Sequence, residues 1–247
     1  MKIHLPALAI EGLSVFYHQL CVLSDISFQV ERGKLLAIAG PNGGGKTTLL
    51  KSILQLIPSQ GKVIVFGSSV SAQKKRIAYI PQRLAIDWDF PAAAIDIVLM
   101  GRYHHIGWFW RPSQKDRDMA YDALAMVGMG QYANRHIREL SGGQQQRIFI
   151  ARALVQQADL LLFDEPFIGI DVKTEQLIVD ILQRLRSEGK TIIVVHHDLH
   201  TLADYFDWVL LLNKKQIAYG PVSNVCMPEY ICATYGDRVL FSPRTKN

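Results

Sequence analysis

Cysteine is scarce in this chain: Cys21, Cys226 and Cys232 are the only three in 247 residues. Three cannot all pair, and none sits in a CxxC, so neither a disulfide scaffold nor a cysteine zinc site is spelled out. That scarcity fits a reducing compartment. Long apolar runs are missing too. A membrane-spanning helix needs about 20 apolar residues, whereas the longest candidates, residues 160–163 and 209–212, are strand-sized. The opening Met1-Lys-Ile-His-Leu-Pro lacks the apolar segment of a signal peptide. Charge of one sign is also in short supply. The 27 Lys+Arg against 22 Asp+Glu leave 27 − 22 = +5, too little for a protein that coats nucleic acid. What is present is apolar: 49% hydrophobic against 20% charged residues excludes whole-chain disorder and supplies a core. The length allows one domain with an insertion, or two small ones. A soluble, cytosolic chain is expected, with any membrane role supplied by a partner.

There is no internal repeat, low-complexity tract or long linker. The first thirty residues read as strands, and Ile26, Phe28 and Val30 alternate with Ser27 and Gln29 as in a half-buried antiparallel strand. Leu35-Leu36-Ala37-Ile38-Ala39 is a continuous apolar run suited to a strand buried on both faces. A glycine-rich turn follows, then a helical pattern over residues 47–57 that stops at Pro58. Strand-like runs return at 77–80, 159–163, 191–195 and 209–212. Between them, Leu177, Ile178, Ile181, Leu182 and Leu185 place a helix over 172–187, with Gly189 as its stop. Strands alternating with helices predict an α/β fold with a largely parallel, covered sheet. Residues 85–157 differ. They are aromatic and irregular to about Pro112 and helical beyond it, which reads as an inserted, mainly helical subdomain.

Gly40-Pro41-Asn42-Gly43-Gly44-Gly45-Lys46-Thr47-Thr48 fits the G-x-x-x-x-G-K-[ST] pattern between a buried strand and a helix. Glycines let the backbone N–H groups curl inward toward phosphate oxygens. The helix N-terminus adds its positive dipole end. Lys46 supplies a cation for the β- and γ-phosphates, and the Thr47 hydroxyl a ligand for Mg²⁺. Nucleotide binding is the strongest inference from the residues themselves. A second apolar strand ends in Asp164-Glu165, at the strand tip where open α/β sheets bind ligands. Asp164 can orient hydrated Mg²⁺ and Glu165 can polarise an attacking water. Alone, the pair would read as well as a solvated strand end turning at Pro166.

Leu140-Ser141-Gly142-Gly143-Gln144 opens the helix after the insertion. Ser141-x-x-Gln144 is a capping box. Two glycines at the first helical positions weaken a helix, but bare backbone there lets an anion approach closely. Taken together, these segments resemble the nucleotide-binding subunit of ABC transporters. Residues 40–48 are similar to its Walker A loop, 160–165 to Walker B and 140–144 to its LSGGQ signature. Gln82 resembles the Q-loop glutamine, Asp171 the D-loop aspartate, His197 the switch histidine and Tyr17 the aromatic that stacks on adenine. The resemblance spans nearly the whole chain.

It implies a P-loop NTPase with a RecA-like core, an antiparallel β subdomain and an inserted helical signature subdomain. The expected division is 1–84 for the β subdomain and first half of the core, 85–157 for the insertion, and 158–247 for the second half and a C-terminal helix over 228–235. It further implies a head-to-tail homodimer with two ATP molecules, each held by Lys46 of one chain and closed over by Ser141, Gly142, Gly143, Gln144 and Asp171 of the other. Glu165, His197, Gln82 and Lys46 would be catalytic, and Thr47, Gln82 and Asp164 would hold Mg²⁺ with the ATP. Tyr17 reads also as an ordinary strand aromatic, Gln82 as a surface turn and Asp171 as a helix cap. His196-His197-Asp198 is poor for a metal, since neighbouring strand side chains point to opposite faces. A γ-phosphate sensor at His197 fits better, with Asp198 starting the next helix and His200 a solvated residue of it.

Residues 86–91 and 98–112 carry Trp88, Phe90, Trp108, Phe109 and Trp110, many rings for an exposed insertion. Some belong to a small aromatic core. The rest suit an interaction surface, where the family docks its membrane subunit. This stretch resembles the manganese/zinc/iron importer branch, closest to manganese-type systems. The expectation is an ATPase that powers uptake of a divalent metal cation. It would be peripheral on the cytoplasmic face of the inner membrane, with two integral membrane permease subunits and, indirectly, an extracytoplasmic metal-binding protein. The histidines, His104, His105 and His136 included, are not expected to be metal ligands. An exporter, or an ABC-type ATPase acting on nucleic acid or ribosomes, is the alternative. The latter lacks its usual coiled-coil insertion or second cassette here, so no nucleic-acid partner is expected.

Overall fold

The computed structural model describes residues 5–82, 91–107 and 111–236. Trp88, Phe90, Trp108, Phe109 and Trp110, on which the aromatic-surface expectation rests, lie outside them. The chain opens with strands β1 (Leu8–Tyr17), β2 (Leu20–Val30) and β3 (Leu35–Ala39), then helix α1 (Lys46–Ile53). Strands β4 (Gln60–Val65), β5 (Ser68–Ser69) and β6 (Ile77–Ile80) follow. Helices α2 (Ala94–Met100), α3 (Tyr103–Ile106), α4 (Gln114–Met126) and α5 (Gly142–Leu154) come next. The remainder runs β7 (Leu160–Asp164), α6 (Val172–Ser187), β8 (Thr191–His196), α7 (Leu202–Tyr205), β9 (Trp208–Asn213), β10 (Lys215–Pro221), α8 (Val222–Val225) and α9 (Pro228–Tyr235). These elements form two compact units, one joining the described residues up to Lys74 with those from Thr191 onward, the other spanning Lys75–Lys190.

In the first unit the strand order is β5-β4-β1-β2-β10-β9-β3-β8. Strands β1, β2 and β4 are antiparallel neighbours, and Ile26, Phe28 and Val30 face inward while Ser27 and Gln29 stay exposed, as the alternation requires. Strand β3 runs parallel to both β8 and β9, and all five of its residues are buried. A strand covered on both faces has no polar face to offer, hence its continuous apolar sequence. Helix α9 returns to this unit, burying Ile231 and accepting a hydrogen bond at the Thr234 carbonyl from Asn213 Nδ2, 2.9 Å away.

Helix α1 ends at Ile53, four residues short of the expected last helical residue, 57. Gln55 takes a left-handed conformation with φ 56°, and the Leu56 and Gln55 amides close back onto the Lys51 and Ser52 carbonyls. That paired closure is the Schellman ending, made here without glycine. Helix α6 has the expected bounds, and its ending uses Gly189 at φ 84°. After β8, Asp198 does not begin a helix. Its carboxylate accepts the His200 amide in a local turn, so His200 is an exposed turn residue and α7 starts only at Leu202.

In the second unit β6 and β7 pair in parallel, Tyr79 opposite Leu162 and Ile80 opposite Phe163. The stretch read as irregular contains α2 and α3. Helix α2 buries Ala94, Ile95, Ile97, Val98 and Leu99 and packs against α4 and α5. Its approach to α5 is close: a Cβ at Gly101 would lie 2.3 Å from the Arg152 carbonyl oxygen. The junction is locked by Arg102, whose Nε donates to Asp116 Oδ1 at 2.9 Å and whose guanidinium also donates to the Val155 carbonyl at 3.0 Å. Hydrogen bonding from Ser113 first, and Arg102 after it, outweighs burial and holds the Asp116 carboxyl below the usual carboxylate range.

Candidate nucleotide site

The first unit carries the glycine-rich loop, running from the end of β3 into α1. Steric limits explain its composition. A Cβ at Gly40 would fall 1.9 Å from the Leu212 carbonyl oxygen, and one at Gly44 would be 3.0 Å from the same atom. Gly43 and Gly45 have φ of 76° and 95°, where a side chain is strained. Gly45 also faces Leu23 of β2, at 2.5 Å for an added Cβ. The turn after β9 clasps the loop as the Lys214 amide donates to the Gly44 carbonyl. Lys46, 5% exposed, folds its ammonium back onto the Gly40 and Pro41 carbonyls at 2.9 and 3.0 Å. Thr47 and Thr48 follow it in the first turn of α1, while Asn42 and Gly43 are exposed at the loop's crest.

Two further residues of interest stand on this unit. Tyr17 closes β1 opposite Leu20, and both side chains are largely exposed. An exposed aromatic at a hairpin end suits stacking better than a core role. His197 follows β8 and is exposed, whereas His196 is buried, so the two rings do point to different environments. The Thr201 hydroxyl donates to the Asp198 carbonyl at 3.3 Å and lies 2.7 Å from His196 Nε2. The Thr201 hydroxyl and His196 Nε2 thus share a hydrogen bond. Burial, then the neighbouring His197, lowers the His196 pKa to about 4.

The second unit carries the carboxylates. Asp164 is fully buried at the tip of β7, and Glu165 follows with φ 52°. The Glu165 carbonyl accepts the Ile168 amide across a turn containing Pro166. Tyr79 Oη donates to Asp164 Oδ2 at 3.2 Å, and Gln82 Nε2 donates to Glu165 Oε2 at 2.6 Å. Both carboxylates are thus turned toward β6 and its extension. Burial first, and the Asp164 charge second, push the Tyr79 hydroxyl well above its ordinary value. The partnership of Tyr79 with Asp164 was not anticipated from the sequence, although a tyrosine within a buried strand signals that its hydroxyl needs an acceptor.

On the same unit Ser141 caps α5 with the reciprocal bonds expected of the capping box. Its amide donates to Gln144 Oε1 at 2.8 Å, and its hydroxyl accepts the Gln144 amide at 3.4 Å. Gly142 and Gly143 form the first helical positions, and Gly143 lies against Ile170 and Thr174. Asp171 caps α6 by accepting both the amide and the hydroxyl of Thr174 at 3.0 Å, which holds its carboxyl below the usual range. The second unit therefore brings Gln82 to Glu165, and the glycines of one helix start beside the cap of another.

A phosphate loop of this build, a strand-end Asp-Glu pair and a glycine-opened helix define an ATP-binding cassette. The chain belongs to the ABC transporter family, whose model matches residues 23–168. It is 52% identical over 233 residues to the manganese transport system ATP-binding protein MntB of Bacillus subtilis (strain 168), covering 94% of this chain and 93% of that protein. It is 51% identical over 234 residues to the zinc transport system ATP-binding protein TroB of Treponema pallidum (strain Nichols), covering 94% and 88%. Among solved structures, it superimposes on a metal-chelate-type ABC transporter in an inward-facing conformation with a TM-score of 0.83, at 32% identity, covering 93% of this chain and 88% of that one. The fold is the α/β ATPase fold expected from the motifs, with its antiparallel β portion and helical insertion. No helix among the described residues is long and apolar enough to cross a membrane.

Proposed function

We propose that this chain is the ATP-hydrolysing subunit that powers an ABC importer of a divalent metal cation, manganese foremost, with zinc or iron next. The observation that carries the reading is the pairing of both Walker carboxylates with β6 and its extension in a chain whose relatives are named for manganese and zinc transport. Lys46 and the backbone N–H groups of residues 40–48 other than Pro41 bind the ATP phosphates, and Tyr17 stacks on the adenine. Mg²⁺ suits the donors on offer, which are the Thr47 hydroxyl, the Asp164 carboxylate and the Gln82 amide oxygen, all hard oxygen ligands. When bound, it neutralises the charge that develops on the phosphates. Glu165 orients and polarises the attacking water, its carboxylate steadied by Gln82. His197 senses the γ-phosphate.

The functional unit is a homodimer in which Ser141, Gly142, Gly143, Gln144 and Asp171 of one subunit close over ATP held by the other. Two membrane permease subunits take up the resulting motion, and an extracytoplasmic binding protein selects the ion. The chain works at the cytoplasmic face, where ATP is. The test is transport by the reconstituted complex with manganese, zinc and iron: ATP-dependent uptake of one of them is expected, and efflux or no metal movement overturns import. In the same system Glu165→Gln should keep ATP binding and nearly abolish turnover, whereas wild-type turnover would reassign the base.

A further inference from the structure

Strand β6 does more than flank β7. Tyr79 sits opposite Leu162, yet its hydroxyl reaches two residues further along the neighbouring strand, to Asp164 Oδ2 at 3.2 Å. Asp164 is fully buried, so its carboxylate cannot rely on bulk water to set its orientation. A carboxylate that accepts a hydrogen bond from a fixed neighbour loses rotational freedom about its terminal torsion, and the ligand geometry becomes preorganised. The phenol is itself half-buried and anchored by a strand whose Ala78 and Ile80 are buried. Three residues on, Gln82 repeats the arrangement on Glu165.

We infer that Tyr79 is a positioning residue for the metal–nucleotide complex: through its hydroxyl it fixes the carboxylate of Asp164 in the orientation that receives Mg²⁺ bound to ATP. This rests on the reading of Asp164 as a Mg²⁺ ligand, and it adds a residue that none of the nucleotide motifs contains. Tyr79 touches neither nucleotide nor reacting atoms. Its contribution should therefore appear only where the metal matters, and a merely structural tyrosine would affect binding with and without metal alike.

The experiment measures ATP affinity of the whole chain twice, in excess Mg²⁺ and in EDTA, for wild type and Tyr79→Phe. Phenylalanine keeps the ring and removes the hydroxyl. The expected result is an unchanged affinity in EDTA and a gain from Mg²⁺ that is about five- to tenfold smaller than in wild type, of the order of one ordinary net hydrogen bond. An Mg²⁺ gain equal to wild type, or an equal loss in both conditions, overturns the inference while leaving the nucleotide site intact. A wild-type chain whose ATP affinity does not respond to Mg²⁺ instead overturns the metal-site reading on which the inference stands. If Tyr79→Phe does not fold, Tyr79→Met, with an adaptable apolar side chain, gives the same comparison.

Discussion

Replacing Gly40 by alanine tests the steric account of the phosphate loop most directly. The new Cβ would lie 1.9 Å from the Leu212 carbonyl oxygen, and Cβ contacts under 3.0 Å are essentially never tolerated, so about 1.1 Å must be recovered by movement. Nothing flexible is available to move. Leu212 belongs to β9, which pairs with β3 through Ala39 and Leu211, immediately before Gly40. Overpacking a core by one methyl ordinarily costs about 1–3 kcal/mol. A clash of backbone against backbone belongs at the upper end, about 3 kcal/mol. For a chain of this size that lowers Tm by about 6–12 °C. The loop that retreats also carries the phosphate-facing amides, so ATP affinity should fall at least about tenfold, or about 1.4 kcal/mol. Gly33→Ala is the control: it has φ 72° but no atom within 4 Å of an added Cβ, so it pays only the left-handed penalty of about 1–2 kcal/mol. Thermal melts and titration of a fluorescent ATP analogue measure both quantities. A Gly40→Ala chain that melts with Gly33→Ala and binds ATP like wild type refutes the argument.

The buried His196 gives a pH prediction. Its pKa is about 4 in the folded chain against about 6.5 unfolded, so the unfolded state binds more protons between these values. Stability from this group is complete above pH 6.5 and is lost as pH falls toward 4, by at most about 3 kcal/mol; the pH dependence of Tm over that window should be shallower in His196→Asn. Arg102→Met should cost about 1–3 kcal/mol in denaturant unfolding, because it removes the charged donor to Asp116, whose side chain is 11% exposed and keeps only its Ser113 hydrogen bonds, and Arg102→Met with Asp116→Asn should recover part of the loss. Ser141→Ala should remove about 1 kcal/mol of helix capping, visible as a small fall in Tm, while leaving ATP binding by an isolated chain unchanged.

Much of this architecture was legible because it rests on short-range rules. The apolar run of β3 and the amphipathic, glycine-stopped α6 announce themselves. The failures have physical causes. Helix α1 ends on Gln55, and a left-handed glutamine leaves no trace in composition. Helix α2 is apolar nearly all round, so helical spacing cannot be told from a buried strand or an irregular core. Strand β4 opens with three exposed residues and β10 has no clean alternation, so their pairing is visible only once neighbours are in place. At the site, motifs located Lys46, Asp164 and Glu165. They could not show Tyr79, because its partner is 85 residues away and brought near by strand register alone.

The left-handed backbone at Glu165 sets durability against chemistry. In a regular strand consecutive side chains alternate between faces, but φ 52° breaks that alternation just past the tip of β7. A residue with a Cβ carries about 1–2 kcal/mol of conformational penalty there that glycine would relieve. The most comfortable occupant of the position is therefore the one that would leave no carboxylate for Gln82 to hold. Under the role proposed above for Glu165, selection for heat resistance alone should drift toward glycine here and produce a sturdier, silent protein, whereas selection for turnover should hold the acid in place despite its strain.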